Sequence, residues 1–255
     1  MTLEILTIPC LSDNYAFLLR DKATGTVALV DAPEAGPIQA VLHDKCWNLD
    51  IILLTHHHYD HIDGVPDLVA EYNPKIVGAK ADASRLPPLD IALSEGDKVS
   101  VGETVGGIFD VSGHTIGHIA FHFPTAKAVF TADSLMALGC GRLFEGPPAM
   151  MWESLSKLAA LPTDTIVYSG HEYTTGNANF ALTVEPDNAA LQARAKDIAT
   201  KRAANIATVP SSLAEELATN PFLRAHLPDV KAAVNMRDAS DAEVFAEIRA
   251  RKDKF

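Results

Sequence analysis

The feature that most restricts the fold of this chain is a histidine-rich segment at residues 55–61 (THHHYDH), directly after the short apolar run DIILL. The β-branched residues of that run predict a buried strand. The pattern His-x-His-x-Asp-His then places four side chains of metal-ligand type within six residues. In an extended loop His56 and His58 point to one side, whereas Asp60 and His61 follow a turn. A chance match is expected about once in a thousand chains of this composition, so the segment predicts a metal site.

Three further ligand candidates, His114, Asp133 and His171, each lie next to an apparent strand. Each of them alone would more often be structural, but together with the cluster they bring the candidates to seven. One catalytic zinc takes about four ligands and keeps a position for water. Seven ligands therefore suit two ions, with one carboxylate bridging them. Imidazole and carboxylate ligands favour zinc and also suit iron or manganese.

The pattern of the chain changes near residue 172. Short apolar strands joined by loops dominate before that point, among them one long run at 99–111, and helices are predicted at 37–43, 64–72 and 150–160. After it strands are expected to vanish, and residues 187–200 have helical periodicity. Ser212 and Ser240 each begin a Ser-x-x-Glu capping box, which predicts a helix start. We expect a mixed α/β domain at 1–172 and a helical domain at 173–255.

Composition excludes several classes of function. The 255 residues carry a formal charge of −12, which argues against a nucleic-acid partner. The acidic excess is confined to residues 1–172, because residues 173–255 hold 11 basic and 11 acidic side chains. No apolar run approaches the roughly 18–20 residues that span a bilayer, and no signal peptide is evident, so no membrane partner is expected. The three cysteines form no disulfide framework; we expect a cytoplasmic monomer in which they are buried small apolar residues.

The motifs also resemble a known family. The segment THHHYDH is similar to the metal-binding motif of the metallo-β-lactamase superfamily. Further motifs resemble those of glyoxalase II, the hydroxyacylglutathione hydrolases: GHTIGH at 113–118, FTAD at 130–133, GCGRLFEG at 139–146, GHEYT at 170–174, NPFLR at 220–224 and RARKDKF at 249–255. The resemblance extends from residue 13 to residue 255 and so covers nearly the whole chain.

The resemblance implies an αββα four-layer sandwich of the metallo-β-lactamase type, followed by a small all-α C-terminal domain that binds substrate. It implies hydrolysis of S-D-lactoylglutathione to D-lactate and glutathione, the second step of methylglyoxal detoxification, by a metal-bridging hydroxide. Two divalent ions would be held by seven residues, the first by His56, His58 and His114, the second by Asp60, His61 and His171, and both by Asp133. Asp60, His61 and Asp133 would be the catalytic members of this set.

The resemblance also assigns glutathione recognition to Arg142, Tyr173, Arg249 and Lys252. Glutathione carries two carboxylates, and Arg249 and Lys252 are spaced i, i+3 on a predicted helix, so they share one face. The sequence departs from the family at Phe144, where many relatives have tyrosine and where phenylalanine cannot donate a hydrogen bond. The small-molecule partner expected is therefore a glutathione thioester, with its affinity in question at Phe144.

Three alternatives remain open from the sequence. A lactonase of the same superfamily would share every ligand, and a sulfur dioxygenase of the same fold would use one iron and fewer ligands. A non-catalytic metal-binding module belongs to a different class. Among the other polar residues, His57 is expected to support rather than bind a metal, Asp31 to orient a bound histidine or to cap a loop, and His118 and His122 to pack.

Overall fold

The computed structural model describes residues 2–255, which divide into two compact units. The first contains the described residues up to Asp110 and Ile116–Thr131; the second contains Val111–Thr115 and Ala132–Phe255. The strands are β1 Leu3–Cys10, β2 Asn14–Asp21, β3 Val27–Val30, β4 Ile51–Leu53, β5 Lys75–Ala79, β6 Ile91–Leu93, β7 Lys98–Val101, β8 Thr104–Asp110, β9 Ile119–Phe123, β10 Ala128–Ala132, β11 Leu135–Met136, β12 Gly139–Cys140, β13 Ile166–Ser169 and β14 Ser211–Ser212. The helices are α1 Ala35–Lys45, α2 Tyr59–Ile62, α3 Val65–Tyr72, α4 Pro148–Ala159, α5 Thr174–Val184, α6 Ala189–Ala203, α7 Leu213–Thr219, α8 Pro228–Ala233 and α9 Asp241–Lys254.

The first sheet of the first unit has the strand order β1-β2-β3-β4-β5-β6. The pairs from β1 to β3 are antiparallel, whereas β3, β4, β5 and β6 run parallel to one another. Helices α1 and α3 bury Ile38, Leu42 and Leu68 in one apolar cluster with residues of these strands. The carboxyl ends of β3, β4 and β5 meet at one edge of the sheet, and the loops that follow them carry polar side chains.

A second layer of the first unit contains the antiparallel pairs β7–β8, β8–β9 and β9–β10. The aromatic rings of Phe17 on β2 and Phe130 on β10 pack 5.6 Å apart, and Thr104 on β8 donates to Asp21 on β2. The two sheets of this unit therefore face each other over a shared apolar core.

The second unit is mainly helical: the short strands β11 and β12 precede helix α4, and the unit ends with helix α9. Helices α5 and α6 pack around the buried Leu138, and the short strands β13 and β14 pair antiparallel. Ser212 and Ser240 cap α7 and α9 with the complete reciprocal capping box. Both helix starts predicted from Ser-x-x-Glu are confirmed.

The structure corrects three expectations. The apolar run at 99–111 is two strands, β7 and β8, joined by a turn at Gly102 with a φ of 58°. Strands do not vanish after residue 173, because the two-residue strand β14 pairs antiparallel with β13. Cys46 is exposed, whereas Cys10 and Cys140 are buried as expected. Across residues 2–255, no helix is long and apolar enough to cross a bilayer.

Candidate functional site

The histidine-rich segment begins where β4 ends, and a buried aspartate after β3 holds its first residues. Asp31 accepts from the backbone N–H of Thr55 at 2.9 Å and from its hydroxyl at 2.8 Å. The same carboxylate accepts from Nδ1 of His61 at 2.8 Å. Asp31 thus fixes both ends of the segment, which agrees with the orienting role considered from the sequence.

Four imidazoles of the first unit converge on one region, those of His56, His58, His61 and His118. Nε2 of His56 lies 3.2 Å from Nδ1 of His58, and ligand atoms of Asp31, His56 and His61 lie within 4.8 Å of one another. The ring of His118 stacks on that of His56 at 4.5 Å, so His118 packs as expected. Five ring or carboxylate groups are therefore gathered at the end of β4, three of them from the segment at 55–61 and the other two from Asp31 and His118.

Asp60 lies in the first turn of α2, one turn beyond the extended part of the segment. The side-chain amide of Asn14 donates to the carbonyl of Asp60 at 2.9 Å and to its carboxylate at 3.2 Å. Asn14 is buried at the start of β2. It therefore fixes the carboxylate of Asp60, although no local sequence pattern singles it out.

At Gly64 the loop after β4 passes close to the backbone of the loop after β3. Its N–H donates to the carbonyl of Ala32, and a Cβ here would come within 2.7 Å of the backbone of Glu34. Ala32 also donates to the carbonyl of His61. Glycine at position 64 is thus required for the loops after β3 and β4 to lie against each other.

The middle histidine of the segment, His57, contacts an aspartate outside the predicted ligand set. Nδ1 of His57 donates to the buried carboxylate of Asp82 at 2.9 Å, which agrees with the supporting role predicted for it. The neighbouring Tyr59 is 71% exposed.

The second unit holds the other three candidates, and Asp133 lies at their centre. Its Oδ2 is 3.4 Å from Nε2 of His114, and its Oδ1 is 3.3 Å from Nε2 of His171. All three side chains are buried. One carboxylate therefore has an imidazole beside each of its oxygens, which is the arrangement expected of a bridging ligand.

The ring of His114 is oriented by the segment that follows β12. Its Nδ1 donates to the carbonyl of Arg142 at 2.7 Å, so the tautomer leaves Nε2 with its lone pair for a metal. The backbone lies so close here that a Cβ on Gly141 would meet the carbonyl of Asp133 at 2.0 Å. His114 also accepts through its carbonyl from the N–H of Phe144.

Two exposed aromatic rings lie against these histidines. The ring of Phe144 packs edge-on against His114 at 5.2 Å, and the ring of Tyr173 stacks on His171 at 4.6 Å. Both predicted substrate residues are therefore adjacent to predicted metal ligands and accessible from solvent.

The two predicted cations of α9 differ in their surroundings. Arg249 is buried, donates to the carbonyl of Cys140 at 2.9 Å and pairs with Asp253 at 2.7 Å. Lys252 is half-buried and donates to the carbonyl of Gly176. Burial first, and then the charges of Arg249 and Arg142, lower the pKa of Lys252, while Asp253 opposes them.

The donor set fits divalent metal ions. Metal–nitrogen distances of about 2.0–2.1 Å in a tetrahedral site give ligand edges of about 3.3 Å. The separations of 3.2 Å within the first unit and of 3.3 and 3.4 Å within the second match such edges. Neither group of ligand atoms includes a cysteine. Burial raises the pKa of the Cys10 thiol to about 12 and that of the Cys140 thiol to about 11, so both are protonated at neutral pH.

Comparison with known proteins agrees with this geometry. Residues 12–171 match the model of the metallo-beta-lactamase superfamily, and residues 172–255 match that of the hydroxyacylglutathione hydrolase C-terminus. The hydroxyacylglutathione hydrolase of Ruegeria pomeroyi is 63% identical over 255 residues, which is the whole of both chains. That of Jannaschia sp. is also 63% identical, covering 99% of this chain and 98% of the relative.

Among solved structures, ETHE1 from Myxococcus xanthus superposes with a TM-score of 0.67 at 24% identity, covering 99% of this chain and 98% of its own. That likeness concerns the fold alone. Together the comparisons confirm the predicted metallo-β-lactamase fold, followed by a C-terminal domain of the type found in hydroxyacylglutathione hydrolases.

Proposed function

We propose that this chain, which belongs to the hydroxyacylglutathione hydrolase family, hydrolyses the thioester of S-D-lactoylglutathione to D-lactate and glutathione. The observation that carries the proposal is the match of residues 172–255 to the C-terminal model of that family. The metallo-β-lactamase fold alone would not identify a substrate, because one fold hosts many activities.

Two divalent ions, most simply zinc with iron or manganese as the other candidates, complete the site. His56, His58 and His114 would hold one ion, Asp60, His61 and His171 would hold the other, and Asp133 would bridge both. The nitrogen and oxygen ligands support this assignment, as do the ligand-edge separations within each unit. When bound, such a pair of ions supplies a hydroxide nucleophile at neutral pH and polarises the thioester carbonyl.

Hydrogen bonds from the chain's own residues orient two of the predicted histidine ligands. Asp31 accepts from Nδ1 of His61, and the carbonyl of Arg142 accepts from Nδ1 of His114, so each ring keeps Nε2 for an ion.

In the reaction, water adds to the carbonyl carbon of the thioester and the carbon–sulfur bond breaks. The departing thiolate has a pKa of about 8.5, so the protein need not supply an acid for it.

The glutathione moiety binds residues of the second unit. Tyr173 and Phe144 offer exposed aromatic faces, and Arg142 and Lys252 offer positive charge for its carboxylates. Arg249 contributes through the N–H donors beyond those that engage Cys140 and Asp253, because a guanidinium has five.

The ranges of the two family models support a division of the chain into a metal-binding and a substrate-binding domain. Residues 1–172 form the metal-binding domain and residues 173–255 the substrate domain, a functional boundary that differs from the two compact units of the backbone. The protein acts as a cytoplasmic monomer on a small molecule, without nucleic-acid or membrane partners. Three free cysteines and a charge of −12 support that setting.

A steady-state assay with S-D-lactoylglutathione, run on a sample whose metal content is measured, tests the proposal. The matched control is a D-lactoyl thioester of a small thiol without the γ-glutamyl and glycyl carboxylates. We expect two metals per chain and a kcat/KM at least about 100-fold higher for the glutathione thioester, since two charge-assisted contacts are lost from the control. Equal rates on the two thioesters, or faster opening of a lactone, would exclude the glutathione assignment.

A further inference from the structure

A buried carboxylate outside the ligand set contacts the histidine-rich segment from the side opposite Asp31. Asp82 follows β5 and is 0% exposed, and its Oδ2 accepts from Nδ1 of His57 at 2.9 Å. Strands β3, β4 and β5 are adjacent and parallel. The loops after them therefore carry Asp31, the ligand segment and Asp82 side by side at one sheet edge.

Asp82 is itself anchored by a second donor. Its Oδ1 accepts from Nε of Arg85, and Nη2 of Arg85 donates to the carbonyl of Ile116 at 2.7 Å. The next residue, Gly117, has a φ of 89° and would bring a Cβ within 3.0 Å of the Asp82 side chain. The carboxylate thus joins the ligand segment to the backbone just before His118.

Asp82 is linked to the predicted metal ligand His56 by two routes, one through His57 and one through Arg85 and His118. His57 lies between the ligands His56 and His58 in the chain, and the ring of His118 stacks on His56 at 4.5 Å. A shift of Asp82 would therefore move the backbone that carries His56 and His58 and, through Arg85, the ring that packs on His56. Neither effect requires Asp82 to touch a metal or the substrate.

We propose that Asp82 is a positioning residue: through His57 and Arg85 it holds His56 and His58 in the arrangement that binds the first metal ion. The proposal rests on the proposed function, since it assumes that these histidines bind an ion. Partners of this kind typically change metal affinity by about 10- to 100-fold when they are removed.

Zinc affinity of the metal-free protein, measured by competition with a chromophoric chelator, tests the proposal. The variants are Asp82→Asn, His57→Ala and the double variant, and the control is Asp21→Asn. Asp21 is also a buried carboxylate of the first unit, but it bonds Thr104 and the turn at residues 23–24. His57 is partly exposed, so His57→Ala carries the test if Asp82→Asn does not fold.

We expect Asp82→Asn and His57→Ala each to weaken one of the two zinc sites about 10- to 100-fold and to leave the other within threefold. The double variant should be no weaker than Asp82→Asn, because that variant has already lost the contact through which Asp82 acts on His57. Excess zinc should restore kcat at unchanged KM, which a purely structural defect would not permit. Asp21→Asn should melt at a lower temperature with zinc affinity unchanged.

Two results would overturn the inference: wild-type affinity in both single variants, or additive losses in the double variant. Weakening of both sites by Asp21→Asn to the same extent would likewise assign the effect to general destabilisation. A wild-type protein that binds no zinc or leaves the thioester intact would instead refute the proposed function.

Discussion

Oδ1 of Asp133 lies 3.3 Å from Nε2 of His171, and the other oxygen of the same carboxylate approaches His114. Removing this carboxylate takes a ligand from each of the two proposed ions at once. We expect Asp133→Ala to retain fewer than two metals per chain by elemental analysis and to lose at least about 100-fold in kcat. The exposed Asp238→Ala is the control and should keep both metals. Two metals retained by Asp133→Ala would contradict a bridging role.

Lys252 offers the clearest test of glutathione recognition, because it is half-buried and its ammonium bonds only weakly, at 3.3 Å, to the carbonyl of Gly176. We expect Lys252→Ala to raise KM for lactoylglutathione about tenfold, equivalent to about 1.4 kcal/mol, with a smaller effect on kcat. The exposed Lys254→Ala, two residues further along α9, is the matched control. The double variant Arg249→Ala, Lys252→Ala should raise KM further, and an unchanged KM would exclude glutathione from this surface.

The pH dependence of KM follows from the pKa of Lys252, which burial and two nearby arginines lower from the usual value for lysine. The protonated form binds the carboxylate, and a lowered pKa means that this form is lost earlier as pH rises. We therefore expect KM to increase with pH from below pH 10.5, with kcat less affected, in steady-state profiles. Lys252→Arg, whose charge persists above pH 12, should give a flat KM over the same range; a rise in both proteins would point to another group.

The convergence of His56, His58 and His61 and the cap of α9 could be predicted because each depends on residues that are close in sequence. The residues that support the ligands could not. Asp82 meets His57 only because β4 and β5 pair in parallel, and Asn14 reaches Asp60 from a strand that begins 46 positions earlier. Neither residue has a local pattern that distinguishes it from an ordinary turn aspartate or asparagine, since both act through the tertiary pairing of strands.

The exposure of Cys46 could not be predicted from its residue type. Cysteine is usually buried, but here it ends α1 in the left-handed conformation, with a φ of 52°. That position is normally taken by glycine or asparagine and lies at the surface. The average behaviour of the residue type therefore gave the wrong environment, because position in the helix decided it.

The same three cysteines give a direct test of burial. Burial raises the pKa of Cys10 to about 12 and that of Cys140 to about 11, whereas Cys46 is exposed. The thiolate is the reactive form, so we expect one thiol per native chain to react with an aromatic disulfide reagent at pH 8 and three to react in denaturant. Cys46→Ser should abolish the native reaction. Reaction of two or more thiols in the native protein would contradict the burial of Cys10 and Cys140.

The cap at Ser240 links the stability of the second unit to substrate binding. Its hydroxyl accepts from the N–H of Glu243. The carboxylate of Glu243 accepts in turn from the hydroxyl and the backbone N–H of Ser240, and these two bonds lower the pKa of the glutamate. We expect Ser240→Ala to cost about 1 kcal/mol of unfolding free energy, seen as a fall in Tm of about 2–4 °C. Because Arg249 and Lys252 lie two turns or more beyond the cap, KM should stay within about twofold of wild type. Ser211→Ala, which removes a serine of β14 that caps no helix, is the control. A loss of stability equal to that of Ser240→Ala would contradict a specific role for the cap.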